Sequence, residues 1–155
     1  QANLGKYYEF GVGVEQDPER AVSWYRKAAE GGDPEGQCCL GYCTEKGIGT
    51  EADPAAAAEW YRRSAEGGYS RGMYNYACCF ENGTGVKKDL PLAQQWYERA
   101  AKEGLPDAMY ELGVWYEDGR CGPKDAAQAL AWYKKAAEAG HDRARKAVER
   151  MEKLV

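Results

Sequence analysis

Residues 108–143 read AMYELGVWYEDGRCGPKDAAQALAWYKKAAEAGHDR, and related versions of this 36-residue unit recur along the chain. The dipeptide Trp-Tyr marks the period, since its copies start at Trp24, Trp60, Trp96 and Trp132, each 36 residues after the one before. A fixed period of this length is typical of proteins that stack copies of one small helical or stranded unit. The period divides the chain into units 1–35, 36–71, 72–107 and 108–143, followed by a half unit over 144–155.

The second half of each unit carries the start and stop signals of a helix. In the first unit, Asp17 can cap the N-terminus, Pro18 suits the first turn, and Gly32 can adopt the left-handed conformation after the last turn. At helical spacing, one arc of this helix is apolar and the opposite arc is charged. The apolar arc comprises Ala21, Val22, Trp24, Tyr25, Ala28 and Ala29. We therefore expect the Trp-Tyr pairs to belong to the core.

The first half of each unit also predicts a helix, most clearly over 108–118. Its core-facing arc comprises Ala108, Met109, Leu112, Gly113, Trp115 and Tyr116. A glycine-rich turn joins the two helices, with the sequence GVGVEQD, GIGTEAD or GTGVKKD in the first three units. The fourth turn, GRCGPKD, has Cys121 in place of the second glycine, which predicts a different shape. Because so short a helix pair cannot bury its apolar face alone, we expect an all-α solenoid of stacked pairs.

These motifs resemble the Sel-one-like repeat (SLR), a relative of the tetratricopeptide repeat. The fullest match runs from Ala108 through Leu112-Gly113, Tyr116, Gly119, Asp125, Ala129, Trp132-Tyr133 and Ala136-Ala137 to Gly140. The resemblance implies a right-handed α/α superhelix, a single domain over 1–155, first helices along the concave side, and a capping helix over 144–155. Proteins with these repeats are typically adaptors that hold other proteins together. The resemblance therefore implies a non-enzymatic interaction scaffold.

Composition excludes several other classes. The chain has 21 basic and 25 acidic residues, a net charge of −4, so a nucleic-acid partner is not expected. No apolar run approaches the roughly 20 residues of a membrane span. Ile48 and seven valines are the only β-branched aliphatic residues, which favours helices over sheets. Since the chain starts at Gln1, without methionine and inside a repeat, we expect it to be part of a longer or processed protein.

The candidate partner-binding residues lie on the first helices, opposite the core leucine, where a lone surface helix should be polar. The third, seventh and tenth positions of the unit face this way. The third position holds Ala2, Cys38, Tyr74 and Tyr110; the seventh holds Lys6, Tyr42, Cys78 and Val114; the tenth holds Glu9, Glu45, Glu81 and Glu117. Stacked repeats would turn these into an apolar stripe beside a carboxylate row, as in a partner-binding groove. We expect a protein or peptide partner with basic residues, anchored by Tyr42, Tyr74 and Tyr110.

Other interpretations of the same residues stay open. The tyrosines could pack on one another across repeats and bind nothing. The glutamates recur in all four units and could serve the repeat's own hydrogen bonding near the helix end. The chain could also be a structural spacer or a self-associating part of a longer array. A monomer or weak self-association is expected.

Six cysteines raise the question of disulfides and metals. Cys43 and Cys79 occupy the core position that Trp115 holds in the fourth unit, so we expect small buried residues there. Equivalent positions of stacked helices lie ~8–10 Å apart, beyond the ~7 Å Cα limit for a disulfide, so we expect no disulfide between Cys43 and Cys79. The cysteine-rich branch of the family pairs cysteines seven residues apart, where this chain has Ala29 and Gly36. We predict no metal or other cofactor, and thiols favour the cytoplasm, although export stays open.

No catalytic constellation is visible. The single histidine, His141, follows Gly140 between repeats and is expected to be a solvated turn residue. None of the three serines, Ser23, Ser64 and Ser70, begins a Ser-x-x-Lys motif. The Gly-x-Gly turns follow no strand and lead to no Gly-Lys-Ser/Thr, so they predict no phosphate loop. The sequence thus predicts no enzyme, and a hydrolase of the cysteine-rich branch is the least favoured alternative.

Overall fold

The computed structural model describes residues 17–153, and this part of the chain contains eight α-helices and no strand. The helices are α1 Pro18–Glu30, α2 Pro34–Lys46, α3 Pro54–Glu66, α4 Ser70–Asn82, α5 Leu90–Lys102, α6 Pro106–Asp118, α7 Ala126–Glu138 and α8 Asp142–Glu152. First helices of the repeat are therefore α2, α4 and α6, and second helices are α1, α3, α5 and α7. The all-α prediction is confirmed. The positions Ala2, Lys6 and Glu9 lie outside the described residues.

The chain forms two compact units, one ending at Lys88 and one beginning at Asp89. In the first unit, α1 packs on α2, α2 on α3, and α3 on α4, and the two first helices α2 and α4 also touch. In the second unit, α5 packs on α6, α6 on α7, and α7 on α8. Within each unit, every helix thus packs on its neighbour in sequence, as repeat architectures require.

Aspartates start the second helices as predicted. Asp17, Asp53, Asp89 and Asp125 each accept the backbone N–H of the third residue onward, at 3.0 to 3.2 Å. Such a cap satisfies one of the amides that a helix N-terminus leaves without an internal partner. At the other end, the glycine at position 32 has a φ of 89°, and its three equivalents have 92° or 93°. The predicted boundaries of these helices are therefore confirmed.

The tyrosines of the Trp-Tyr pairs form the centre of the core. Tyr25, Tyr61, Tyr97 and Tyr133 are at most 1% exposed. The glycine of the Leu-Gly motif makes room for this ring. A Cβ added to Gly41 would lie 2.8 Å from Cε1 of Tyr61, and one added to Gly113 would lie 2.5 Å from the ring of Tyr133. In the second and fourth units, the Leu-Gly motif therefore packs directly against the Trp-Tyr motif.

The tryptophans of the Trp-Tyr pairs are only half-buried, so the core prediction holds for them in part. Each tryptophan ring lies beneath the cation three residues onward in the same helix. The distances from cation to ring centroid are 4.8 Å for Lys27 on Trp24, 4.9 Å for Arg63 on Trp60, 4.7 Å for Arg99 on Trp96 and 4.7 Å for Lys135 on Trp132. Because Trp precedes the central Tyr by 100° of helix rotation, it lies at the edge of the apolar arc.

The glycines of the turns between first and second helices explain why the fourth turn differs in shape from the second and third. Gly49 has a φ of 70°, and a Cβ there would lie 2.3 Å from the backbone oxygen of Pro18. The turn thus lies tightly against the start of α1, and Gly85 lies in the same way against Pro54. In the fourth turn Cys121 replaces this glycine, and the next residue, Gly122, has a φ of 145°. The predicted change of shape is confirmed.

Candidate functional site

The structure separates the predicted partner-binding residues into exposed, half-buried and buried groups. Tyr42 is 42% exposed. Cys38 is buried. The half-buried residues are Glu45, Tyr74, Cys78, Glu81, Tyr110, Val114 and Glu117. Lys6 and Glu9 lie outside the described residues.

Cys38 belongs to the core instead of the predicted surface. Its side chain lies in a cluster with Ala57, Ala58, Tyr61 and Cys79, and its Sγ accepts a hydrogen bond of 3.4 Å from Nδ2 of Asn75. Cys38, at the third position of its unit, is covered because both α3 and α4 pack against this side of α2. Burial raises the pKa of the Cys38 thiol to about 12, which keeps it protonated at neutral pH.

Tyr110 contacts α7 and the start of α8. Its ring stacks on the imidazole of His141 with centroids 4.7 Å apart, and it lies 5.5 Å from the ring of Tyr133. Val114, one turn further along α6, packs against the same cluster. On α6 the predicted apolar stripe is therefore engaged by the chain itself. This resembles the alternative in which the tyrosines pack and bind nothing, although the partners are Tyr133 and His141.

His141 is not a solvated turn residue, and that expectation is wrong. Its side chain is only 13% exposed. Nδ1 accepts the backbone N–H of Ala144 at 3.1 Å, and Nε2 lies 3.1 Å from Oδ1 of Asp107. His141 is thus the N-cap of α8, which begins two residues before the predicted position 144. The spacing from Gly140 gave the turn correctly but could not show that α6 covers the imidazole.

Two of the row glutamates bind the buried tyrosine of their own repeat. The phenol of Tyr61 donates a hydrogen bond to Oε1 of Glu45 at 2.8 Å, and that of Tyr133 donates to Oε1 of Glu117 at 2.7 Å. These contacts support the alternative in which the glutamates serve the repeat's own hydrogen bonding. Burial, and then the nearby Glu45 carboxylate, raises the pKa of the Tyr61 phenol far above its usual range. The tyrosine therefore stays a donor at any physiological pH.

Glu117 carries a second partner. Arg150 of α8 donates from both terminal nitrogens, with Nη1 to Oε2 at 2.6 Å and Nη2 to Oε1 at 2.9 Å. These bonds hold the pKa of the Glu117 carboxyl below its usual range. Arg150 is not among the residues predicted from the sequence, although it lies 36 residues after Val114, at the seventh position of the half unit. Extending the register into that half unit would have found it.

A groove on the first unit brings three of the predicted residues together. Tyr42, Glu45 and Cys78 line it, and its volume is about 240 Å³. The remaining lining residues are Lys46, Tyr61, Asn75, Cys79 and Thr84. We call this the α2–α4 groove. It combines an exposed aromatic ring, a carboxylate that already accepts one hydrogen bond, and amide and hydroxyl groups, which can recognise a polar or basic side chain.

Cys43 and Cys79 are the cysteines that the sequence predicted to be small core residues, and Cys79 also lines the groove. Cys43 packs with Leu40 and Tyr25, and Cys79 packs with Tyr61. Both are at most 2% exposed, which confirms that prediction. Burial, followed by the charge of Glu45, raises the pKa of the Cys79 thiol to about 12. The Cys79 thiol therefore stays neutral beside Glu45 at physiological pH.

Residues 17–153 contain neither a metal-binding cluster nor a membrane-spanning helix. No three His, Cys, Asp or Glu side chains come close enough there to hold a metal ion. Nor does any helix in this range combine the length and apolar character that a membrane crossing demands.

The chain matches solved repeat proteins along most of its length. A Sel1 repeat protein from Oxalobacter formigenes is 39% identical, with a TM-score of 0.89, over 95% of this chain and 59% of that one. A protective antigen of uropathogenic Escherichia coli with an SLR fold is 34% identical, with a TM-score of 0.82, over 97% of this chain and 32% of that one. This chain therefore spans less than two thirds of either protein.

A member of the cysteine-rich branch is also similar. Cysteine rich protein B of Helicobacter pylori is 26% identical, with a TM-score of 0.67, over 85% of this chain and 95% of that one. The family model of the Sel1 repeat matches residues 1–33, 34–69, 70–105 and 106–141, so its later boundaries fall two residues before those read from the Trp-Tyr period. The chain belongs to the Sel1 repeat family, whose members are generally non-catalytic scaffolds for protein interactions.

Proposed function

We propose that this chain is an adaptor that binds a segment of a partner protein on its first helices, with the α2–α4 groove as the main contact. The observation that carries the proposal is the exposure of Tyr42. Among the described residues it is the large apolar side chain that remains exposed, at 42%, and it lies at a groove. Tyrosine is a common anchor of protein interfaces because its ring is large and rigid and its hydroxyl is polar.

The surroundings of Tyr42 fit a peptide ligand better than a small molecule or a substrate. The groove is open to solvent, and its lining combines apolar, amide, hydroxyl and carboxylate groups. Tyr74 and Glu81 on α4 are half-buried and extend the candidate surface. In contrast, Tyr110 and Val114 are engaged by α7 and α8, so we no longer propose Tyr110 as an anchor.

The test is affinity capture from a lysate of the source cells, read by mass spectrometry. The bait is the intact chain, compared with Tyr42→Ser and with the matched control Tyr42→Phe, which keeps the ring. All three proteins must melt at the same temperature. A partner that Tyr42→Phe retains and Tyr42→Ser loses would support an adaptor with this groove. A partner that both variants retain would show that binding does not depend on Tyr42, so the binding site would lie elsewhere on the chain.

The alternative function is that of a spacer or self-associating segment in a longer array. It gains support if no partner is captured and if light scattering shows a mass that rises with concentration. A hydrolase activity like that of the cysteine-rich branch is not proposed.

A further inference from the structure

The repeat contains an arginine site that the chain itself fills in one place. In the second compact unit, Arg150 binds Glu117 through two parallel hydrogen bonds while Tyr133 donates a third to the same carboxylate. A carboxylate and a guanidinium have matching planar forks, so this geometry is specific for arginine. The site has three parts: the tenth-position glutamate, the Trp-Tyr tyrosine, and a residue at the seventh position of the next first helix.

The same three positions occur one repeat pair earlier, within the first compact unit. They hold Glu45, Tyr61 and Cys78, each of which lies 72 residues before its counterpart, Glu117, Tyr133 or Arg150. Tyr61 donates to Glu45 at 2.8 Å, as Tyr133 does to Glu117 at 2.7 Å. Both glutamate side chains are also 27% exposed. The carboxylate–tyrosine pair is therefore preserved in geometry and in exposure.

The third part differs, because the residue at the position of Arg150 is Cys78. Cys78 follows Glu45 by 33 residues, and Arg150 follows Glu117 by the same 33 residues. A cysteine is too short to reach a carboxylate as an arginine does. The α2–α4 groove of about 240 Å³ lies at this place, lined by Glu45, Tyr61 and Cys78 together. This volume is several times the roughly 30 Å³ that one water occupies in the liquid, so it admits a guanidinium group.

We propose that the α2–α4 groove binds an arginine side chain of the partner, in the position that Arg150 takes on Glu117. This deepens the proposed function and rests on it. The guanidinium donates two parallel hydrogen bonds to the Glu45 carboxylate. The exposed ring of Tyr42 lies at the same groove and offers a face for the guanidinium plane.

The contact that Glu45 already makes with a cation does not fill this site. Nζ of Lys46 lies 3.5 Å from Oε2 of Glu45, and the lysine side chain is 54% exposed. An exposed pair of this length between adjacent residues contributes little. A guanidinium that binds Glu45 through two hydrogen bonds can displace the Lys46 ammonium, which is already largely exposed to solvent.

The test uses two pentapeptides as probes, acetyl-Gly-Ser-Arg-Ser-Gly-amide and its counterpart with lysine, titrated into the intact chain and followed by NMR. We expect the arginine probe to bind more tightly than the lysine probe of equal charge. Glu45→Gln should weaken arginine binding about tenfold, because it removes charge-assisted hydrogen bonds. The matched control Glu138→Gln, on the exposed side of α7, should bind as the unchanged chain does. Equal affinity for both probes, or binding that Glu45→Gln leaves intact, would overturn the proposal.

A second variant tests the internal comparison directly. Cys78→Arg places an arginine at the register position of Arg150, so the chain should fill its own groove. We expect this variant to lose the arginine probe and to melt at a higher temperature, whereas Cys78→Ala should keep the probe. If Cys78→Arg binds the probe unchanged, the assignment is wrong. If capture of a partner still depends on Tyr42 while the arginine probe shows no preference, the adaptor function stands and the arginine site alone fails.

Discussion

Glu117 shows how a single side chain can tie three helices of this fold together. It lies on α6, accepts from Tyr133 on α7, and is held by Arg150 on α8. The capping helix is therefore attached by a specific polar contact as well as by its apolar residues Ala147 and Met151. The lowered pKa of Glu117 makes this attachment sensitive to acid.

We predict that Arg150→Met destabilises the chain by about 1 kcal/mol at neutral pH, the upper range for partly exposed ion pairs. The pKa of Glu117 is lowered in the folded chain, so the stabilisation is present above the ordinary glutamate pKa of about 4.5 and disappears as pH falls through the lowered value. Urea unfolding at neutral pH and in strong acid measures the difference between variant and unchanged chain. A difference that persists in strong acid would contradict the role of Glu117.

The two aromatic residues of the Trp-Tyr pair should contribute unequally. Tyr61 is 1% exposed, and we expect Tyr61→Ala to cost about 3–5 kcal/mol, as large aromatic deletions in cores do. Trp60 is half-buried beneath Arg63, so Trp60→Ala should cost less, about 1–3 kcal/mol, despite the larger ring. Denaturant unfolding of both variants compares the free energies. A larger loss for Trp60→Ala would show that the tryptophan, not the tyrosine, is the central core residue.

Single residues also show where sequence reasoning stops. Helical spacing placed the tyrosines in the core, because a 3.6-residue period decides which side of one helix is apolar. It placed Cys38 on the surface, and the place of His141 in a turn after Gly140 predicted exposure to solvent, but both side chains are covered. Their burial comes from neighbouring helices, α3 and α4 for Cys38 and α6 for His141. A wheel drawn for one helix contains no information about a second helix.

At the scale of elements, the two motifs that define the repeat depend on each other. The Leu-Gly glycine leaves room for the Trp-Tyr ring, since a Cβ on Gly41 would lie 2.8 Å from Cε1 of Tyr61 and 3.3 Å from the backbone oxygen of Ala57. The close packing of α2 on α3 therefore requires a residue without a side chain at this position. Helix boundaries were predictable because Asp, Pro and Gly start or stop a helix through contacts within one turn. The contact of Gly41 with Tyr61 joins two helices, so it could not be predicted from either helix alone.

We predict that Gly41→Ala destabilises the chain by about 1–3 kcal/mol, although alanine favours helices more than glycine does. The added methyl would overlap the Tyr61 ring, which is fully enclosed and cannot move aside. Gly31→Ala is the matched control, since Gly31 is exposed, has a φ of −78° and meets only backbone oxygens at 3.3 Å and beyond. Thermal unfolding compares the two. Equal stability of Gly41→Ala and the unchanged chain would mean that α2 and α3 can separate at little cost.

At the scale of the whole molecule, the four repeats agree where the fold needs them and differ where a partner could be recognised. The tenth position is glutamate in every unit, while the seventh reads Lys6, Tyr42, Cys78, Val114 and, in the half unit, Arg150. Beside this constant carboxylate, Arg150 fills the site in the second compact unit, and we propose that an arginine of a partner fills it in the first. The residues that recur in every unit thus indicated the family, whereas the variable seventh position, Cys78 against Arg150, indicated the candidate site.

Self-association is the whole-molecule property that separates an adaptor from an array segment. We predict a monomer of 17.2 kDa whose mass in light scattering stays constant over a wide concentration range. A stable dimer buries about 1,200–2,000 Å², whereas the exposed large apolar side chain of the described residues is Tyr42, and the net charge of −4 makes copies repel. If the mass rises with concentration, Tyr42→Ser distinguishes two causes. Loss of association in that variant would show that a second copy of the chain binds at the groove, because Tyr42 lines it. Self-association would then compete with a partner for the same surface.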